Sequence, residues 1–288
     1  MTLPDDWWRR LDVARRLSEW FSRHLLCLFV SYETGARSFL KVYTGFLLYY
    51  LDCLFWVTAG HVIDQLSELL SSGQVEVERM RWLDGCEIPG AEAVVVHNRE
   101  LLRFSAFSQG LDFGLVAILG LDAENIIKGG RAEPMTEQIW RNLDVARPDG
   151  YYLLGYPDPW IEHGRKRVSN SQVRRYVRAP LSCLPLSPIG FRSVDPEHEF
   201  WDDPEGFYGK ILPFVEGEAC QPESIVGMSG GPVLSVERDS DLQIRYRLFG
   251  IQSKWWGSKR LTCAVPIEKV VGFMEERKRS AQAGSSES

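Results

Sequence analysis

The chain opens on a helical rhythm and then changes period. Trp7, Leu11, Ala14, Leu17, Phe21 and Leu25 recur at intervals of three and four residues, which places them on one face of a helix spanning residues 1–24. From there the apolar residues come in short runs rich in β-branched and aromatic side chains, the mark of strands. Such runs fall at Leu25–Tyr32, Phe39–Leu48, Leu54–Thr58, Ala93–His97 and Phe113–Leu119. A short helix, Val62 to Leu70, interrupts them. Residues 121–150 are rich in charge and turn formers and read as a connector. A second set of strands follows at Tyr151–Tyr156, Gln172–Ala179, Gly231–Val236, Ile244–Gln252 and Leu261–Val265. Pro266 then starts a closing helix with Ile267, Val270, Val271 and Met274 on one face. Beyond Lys278 the residues are small and polar, and residues 280–288 are expected to be a disordered tail.

Composition narrows the partners. A length of 288 residues allows one or two domains, and 44% hydrophobic with 25% charged residues is ordinary for a globular protein. A net charge of -6 argues against nucleic acid as partner. The one basic stretch, Gly164 to Arg178, reads as a solvated strand-loop-strand face. The longest apolar run, Phe46 to Val57, is broken by Asp52 and is too short to span a membrane. The first residues are acidic and then basic, without an apolar core or small-residue cleavage site, so a cytoplasmic location is expected. Cys27, Cys53, Cys86, Cys183, Cys220 and Cys263 form no CxxC pair. They read as small buried hydrophobes, and no metal or other cofactor is expected.

Three segments carry candidate chemistry. Gly227-Met228-Ser229-Gly230-Gly231-Pro232 sets a serine on a glycine-rich turn, where two backbone N–H groups can converge on one point. A serine hydroxyl needs a neutral imidazole to take its proton, and the imidazole needs a carboxylate to fix its tautomer. Of the five histidines, His24, His61, His97, His163 and His198, only His61 follows a clear strand and precedes a helix; the others read as structural or surface residues. Asp112, in Leu111-Asp112-Phe113-Gly114-Leu115, supplies the carboxylate. Each segment alone is ordinarily a turn, a structural histidine or a strand boundary. Their order along the chain makes the combination informative.

The phrases Thr58-Ala59-Gly60-His61, Asp112-Phe113-Gly114-Leu115 and Gly227 to Pro232 resemble the His, Asp and Ser blocks of trypsin-like serine peptidases of the chymotrypsin fold, in the style of bacterial members. The His…Asp…Ser order sets this resemblance apart from subtilisin-like and α/β-hydrolase enzymes. Similarity extends to Thr44-Gly45-Phe46, Tyr152 to Pro157, Phe249 to Ser253 and Ala264 to Ile267. The resemblance implies an all-β fold of two antiparallel six-stranded barrels, residues 25–120 holding His61 and Asp112 and residues 151–279 holding Ser229 and the closing helix. It implies a peptide or protein substrate attacked by Ser229, with His61 as base, Asp112 orienting it, and the N–H groups of Gly227 and Ser229 as oxyanion hole. By the same resemblance Ser253 hydrogen-bonds Asp112 and the residues after it pair with substrate backbone. Glu223, six residues before Ser229, falls where relatives that prefer Arg or Lys carry an acid.

Two departures stand out. Secreted digestive members have an aspartate before the serine that pairs with a freed N-terminal amine; here Met228 occupies that place, so the oxyanion loop must be ordered another way. They also carry cysteines where this chain has Val62 and Ile225. Two alternatives to a simple peptidase stay open: a catalytically silent binding scaffold, and a peptidase latent until a regulatory protein binds, the leading helix docking on a larger assembly.

Overall fold

Apolar runs with alternating burial pair into antiparallel ladders here, and a helix at each end of the chain covers what the sheets leave open. The structure, a computed structural model, describes residues 6–34, 37–73, 80–84, 94–96, 103–107, 111–129, 132–142, 145, 147–158, 161–167, 173–178, 180–191, 205–215, 222–239, 241 and 243–285. After a short turn at Trp7–Arg9 comes helix α1, Leu11–Phe21. The first group of strands comprises β1 (Leu26–Thr34), β2 (Arg37–Tyr43), β3 (Phe46–Tyr50), β4 (Cys53–Thr58), β5 (Met80–Asp84), β6 (Val94–Val95), β7 (Arg103–Ser105) and β8 (Gly114–Ile118), with helix α2 (Gly60–Ser71) after β4. Short helices α3 (Gly120–Glu124) and α4 (Glu137–Trp140) fill the connector. The second group comprises β9 (Gly150–Gly155), β10 (Glu162–Arg167), β11 (Val173–Arg178), β12 (Ser182–Pro188), β13 (Phe207–Ile211), β14 (Pro232–Arg238), β15 (Ile244–Trp256) and β16 (Leu261–Pro266), closed by helix α5 (Ile267–Ser285).

The second group forms one closed barrel in the order β12-β13-β16-β15-β14-β9. Closure leaves no exposed edge among these strands. Among the described residues the first group forms two four-stranded sheets, β2-β1-β5-β6 and β3-β4-β8-β7, linked by an isolated pairing of Leu25 with Phe46, rather than the expected second closed barrel. The expected Phe39–Leu48 strand is two strands, because the chain turns a corner at Thr44–Gly45. A Cβ on Gly45 would come within 2.6 Å of the Val57 carbonyl oxygen, so only glycine lets β3 and β4 approach so closely. The Gln172–Ala179 segment also differs from expectation: β11 pairs with β10 as a separate hairpin rather than joining the barrel.

Helix α1 is part of the core. Leu17 and Phe21 are fully buried, and Trp20 and Phe21 pack edge-on against Tyr246 of β15 at 4.7 and 4.6 Å between ring centroids. Trp8 meets Tyr152 of β9 edge-on at 6.2 Å. The apolar face that docking on an assembly would use is thus covered by this chain. Just past α1, buried His24 binds the Glu133 carbonyl through Nδ1 at 2.8 Å. Burial holds its pKa below the usual imidazole value, and because the carbonyl can only accept, Nδ1 carries a proton.

Helix α5 crosses back onto the first group. Phe273 contacts Phe104 and Phe113 at 4.8 and 5.5 Å, and the Tyr50 hydroxyl donates to Glu275 Oε1 at 2.6 Å. Burial, aided by that carboxylate, pushes the Tyr50 phenol up to about 12. The helix runs through Ser285 rather than fraying after Lys278, since Ala281, Gln282 and Ala283 favour helix. Among the described residues no helix is long and apolar enough to cross a membrane.

If α1 is core, Phe21→Ala destabilises the fold by about 3–5 kcal/mol, read from the midpoint of urea unfolding. Leu121→Ala, at a residue 64% exposed, shifts the same midpoint by less than about 0.5 kcal/mol.

Candidate active site

The site is built where the first group of strands faces the barrel. β4, held between β3 and β8, ends at Thr58, and extended Ala59 leads into α2, whose second residue is His61. The first N–H groups of a helix lack intrahelical acceptors. Here Asp112 supplies one: its Oδ1 accepts the His61 backbone N–H at 3.0 Å. The same carboxylate faces the ring, with Nδ1 at 3.1 Å from Oδ1 and 3.0 Å from Oδ2. Carboxylate oxygens accept, so Nδ1 donates to Asp112 and Nε2 lies on the side of the ring away from it. The positive end of the α2 dipole favours the anion as well. Asp112 is buried while 29% of the His61 side chain is exposed, which turns the ring's working edge to solvent beside the exposed Phe107.

Ser229 stands on two consecutive four-residue turns. The Met228 N–H donates to the Ile225 carbonyl at 3.0 Å and the Gly231 N–H to the Met228 carbonyl at 2.8 Å. The third residue of each turn is a glycine with positive φ, Gly227 at 93° and Gly230 at 91°, a backbone that L side chains resist. Met228 between them is fully buried, in a cluster with Ile225, Leu153 and Val233 inside the barrel. The apolar side chain therefore anchors the loop inward.

Peptide planarity fixes where the loop's donors point. The Val226 carbonyl accepts the Asp158 N–H at 2.7 Å, so the Gly227 N–H, across a trans peptide, turns away from Asp158. By the same rule the Ser229 N–H turns away from the Gly231 amide. Neither N–H has an acceptor among the described residues.

The loop docks on the first group through threonines. Thr44 Oγ1 donates to the Gly227 carbonyl at 2.7 Å and accepts the Tyr156 N–H at 3.2 Å. Thr58 Oγ1 donates to the Thr44 carbonyl at 2.8 Å. Gly230 lies so close to this corner that an added Cβ would collide with Thr58 and sit 2.6 Å from the Thr44 carbonyl oxygen. Ser229 thus enters the cleft one residue from contact with the strand that ends three residues before His61. Among the described residues no hydrogen bond joins Ser229 to His61.

Beside the serine, Gly230 donates to the Gln252 carbonyl at 2.8 Å and Gln252 to the Gly231 carbonyl at 2.9 Å. Beyond that point β14 no longer pairs with β15, while Lys254–Trp256 still pair with β16. Ser253 is the extra residue of a bulge there, and its hydroxyl donates to the Cys263 carbonyl at 3.4 Å rather than to Asp112. Glu223 is exposed ahead of the loop. His97, His198, Cys86 and Cys220 lie outside the described residues. The described cysteines, Cys27, Cys53, Cys183 and Cys263, carry no disulfide. Sequence reasoning missed Thr44, Thr58 and Asp158 as site builders; a buried threonine directly before a strand-breaking glycine is the signal that could have found the first.

No family model matches the chain, and no curated protein does. Among solved structures, it is similar to the Rv3671c protease from M. tuberculosis in its active form, with 13% identity, a TM-score of 0.43, and 90% of this chain and 81% of that one covered. It is likewise similar to the protease Anisep from Arthrobacter nicotinovorans, with 13% identity, a TM-score of 0.46, and 85% and 90% covered.

The close approach at Gly230 sets a clear expectation. Gly230→Ala adds both a clash with Thr58 and a positive φ for a residue with a Cβ, so it lowers stability by more than about 2 kcal/mol in denaturant titration. The same change at Gly272, where an added Cβ meets nothing within 4 Å, is neutral or stabilising within about 1 kcal/mol.

Proposed function

We propose that the chain is a serine endopeptidase that works through an acyl-enzyme, with Ser229 as nucleophile, His61 as general base and acid, and Asp112 as the group that orients His61. The observation that carries this reading is the double engagement of Asp112 by the His61 backbone and ring, at 3.0 Å each, beside a serine loop docked by Thr44. The Nδ1 proton held by Asp112 leaves Nε2 ready to take a proton from the Ser229 hydroxyl as it attacks a carbonyl. Contacts between nucleophile and base commonly tighten only when substrate is present. The Gly227 and Ser229 N–H groups receive the developing oxyanion. His61 then returns its proton to the leaving amine, and water, deprotonated by the same imidazole, releases the acyl group.

We take the substrate to be a protein or peptide, in keeping with the resemblance of the His61, Asp112 and Ser229 segments to trypsin-like peptidases. Glu223 is our choice for selecting Arg or Lys before the cleaved bond, resting on its position relative to Ser229. We place the activity in the cytoplasm, in keeping with four described cysteines that remain thiols.

A fluorophosphonate probe labels the purified chain and fails to label Ser229→Ala. Asp112→Asn folds with the same unfolding midpoint within about 1 kcal/mol yet loses about 10⁴-fold in kcat. A folded wild type that resists the probe, alone and with cell extract, would leave the scaffold reading instead.

Peptide-library profiling is expected to show Arg or Lys before the scissile bond. Glu223→Gln reduces that preference at least about tenfold, a loss of about 1.4 kcal/mol; an apolar preference indifferent to the substitution removes Glu223 from the pocket.

A further inference from the structure

The loop that carries Ser229 has no aspartate to pair with a freed amine, so something else must hold its two donors in place. Besides its own turn hydrogen bonds and its pairing with Gln252, three contacts hold the stretch around Gly227. Asp158 donates its N–H to Val226 at 2.7 Å, Met228 is buried in the barrel, and Thr44 donates to Gly227 at 2.7 Å. The first two belong to the barrel itself. Thr44 comes from the other group of strands, at the corner between β2 and β3.

We propose that Thr44 is the positioning residue of the oxyanion loop, clamping the Gly227 carbonyl so that the Gly227 and Ser229 N–H groups face the cleft in the free chain, with no N-terminal amine or partner required. This deepens the peptidase reading and rests on it. A hydroxyl has one proton and two acceptor sites. The Tyr156 N–H, at 3.2 Å, can only donate, so it takes an acceptor site and leaves the single proton for the Gly227 carbonyl. The direction of the bond is thereby fixed.

The consequence follows from geometry. The Gly227 carbonyl belongs to the peptide joining Gly227 to Met228, and the Val226 carbonyl to the one before it. With both carbonyls held, by Thr44 and by Asp158, Gly227 is pinned on either side at its φ of 93°. Glycine tolerates many backbone states; without the clamp, the Gly227–Met228 peptide keeps the Met228 N–H bond to the Ile225 carbonyl at 3.0 Å but loses its tie to the other group of strands, and the loop can rotate and turn the donor away. The Thr44 carbonyl, in turn, accepts Thr58 Oγ1 at 2.8 Å, three residues before His61. One residue therefore ties the donor loop to the strand that delivers the base.

The test compares Thr44→Val, which keeps the shape and removes the hydroxyl, with Thr44→Ser, which keeps the hydroxyl. Rates are measured with a peptide ester and a fluorophosphonate, at a temperature where each variant is folded. Removal of an oxyanion-hole donor costs about 10²–10³-fold in kcat, so loss of its brace is expected to cost about 10–100-fold, with KM within about threefold. Thr44→Ser recovers most of that loss. Leu17→Val, a core change remote from the loop, controls for stability alone and leaves kcat in place. As a second measurement, wild type with an acetylated or extended amino terminus titrates as many reactive serines as the unblocked chain.

A wild type that reacts while Thr44→Val matches it in kcat overturns this inference and leaves the peptidase reading standing. So does a blocked amino terminus that lowers the titre tenfold, an outcome that remains decisive should Thr44→Val fail to fold. A folded wild type that reacts with neither reagent overturns both.

Discussion

Two threonine hydroxyls and a glycine without a side chain decide whether this molecule has a site at all. Ser229 stands on the barrel, His61 and Asp112 on the other group of strands, and the proposed reaction needs such groups held closely aligned. Docking of the Gly227–Gly231 loop on the Thr44–Gly45 corner is what ties the two groups together there. The interface is polar yet sealed: Thr44 and Thr58 are fully buried, and both hydroxyls have partners. Buried polar groups that are all satisfied specify one arrangement, because any slip leaves a donor or acceptor stranded in a medium that cannot replace water.

The helices at either end brace this junction from outside. α5 leaves the barrel and lays Phe273 against Phe113, the neighbour of Asp112. The position of the carboxylate is thus tied to the packing of an element that starts on the other side of the cleft. α1 works in the opposite direction: His24, two residues before β1, binds the Glu133 carbonyl, while Phe21 and Trp8 bury themselves against the barrel.

Much of this was legible in the residues. The helical spacing of Trp7 to Leu25 reported α1, and the alternation in Ile244–Gln252 and Leu261–Val265 reported β15 and β16. The pairing of His61 with Asp112 was anticipated from the resemblance of their segments, in order along the chain, to the His and Asp blocks of trypsin-like peptidases. Other elements left weaker traces. β12 carries Pro185 and Pro188, which demote any strand pattern, yet it completes the barrel between β9 and β13. β7 has only three residues. The corner at Thr44 was hidden because the apolar run continues through it, and only the packing of Gly45 against β4 shows why the strand must break. Ser253 illustrates a different limit: a bulge re-aims a side chain in a way no local pattern records.

The burial of α1 has a bearing on how the chain reaches its native state. Trp8 waits for Tyr152 and Phe21 for Tyr246, each well over a hundred positions downstream. At a synthesis rate of about 5–20 residues per second, the leading segment stands with its apolar face uncovered for on the order of ten to forty-five seconds before its last partner emerges. Such long-range contacts slow folding and extend the interval in which sticky surface is on view.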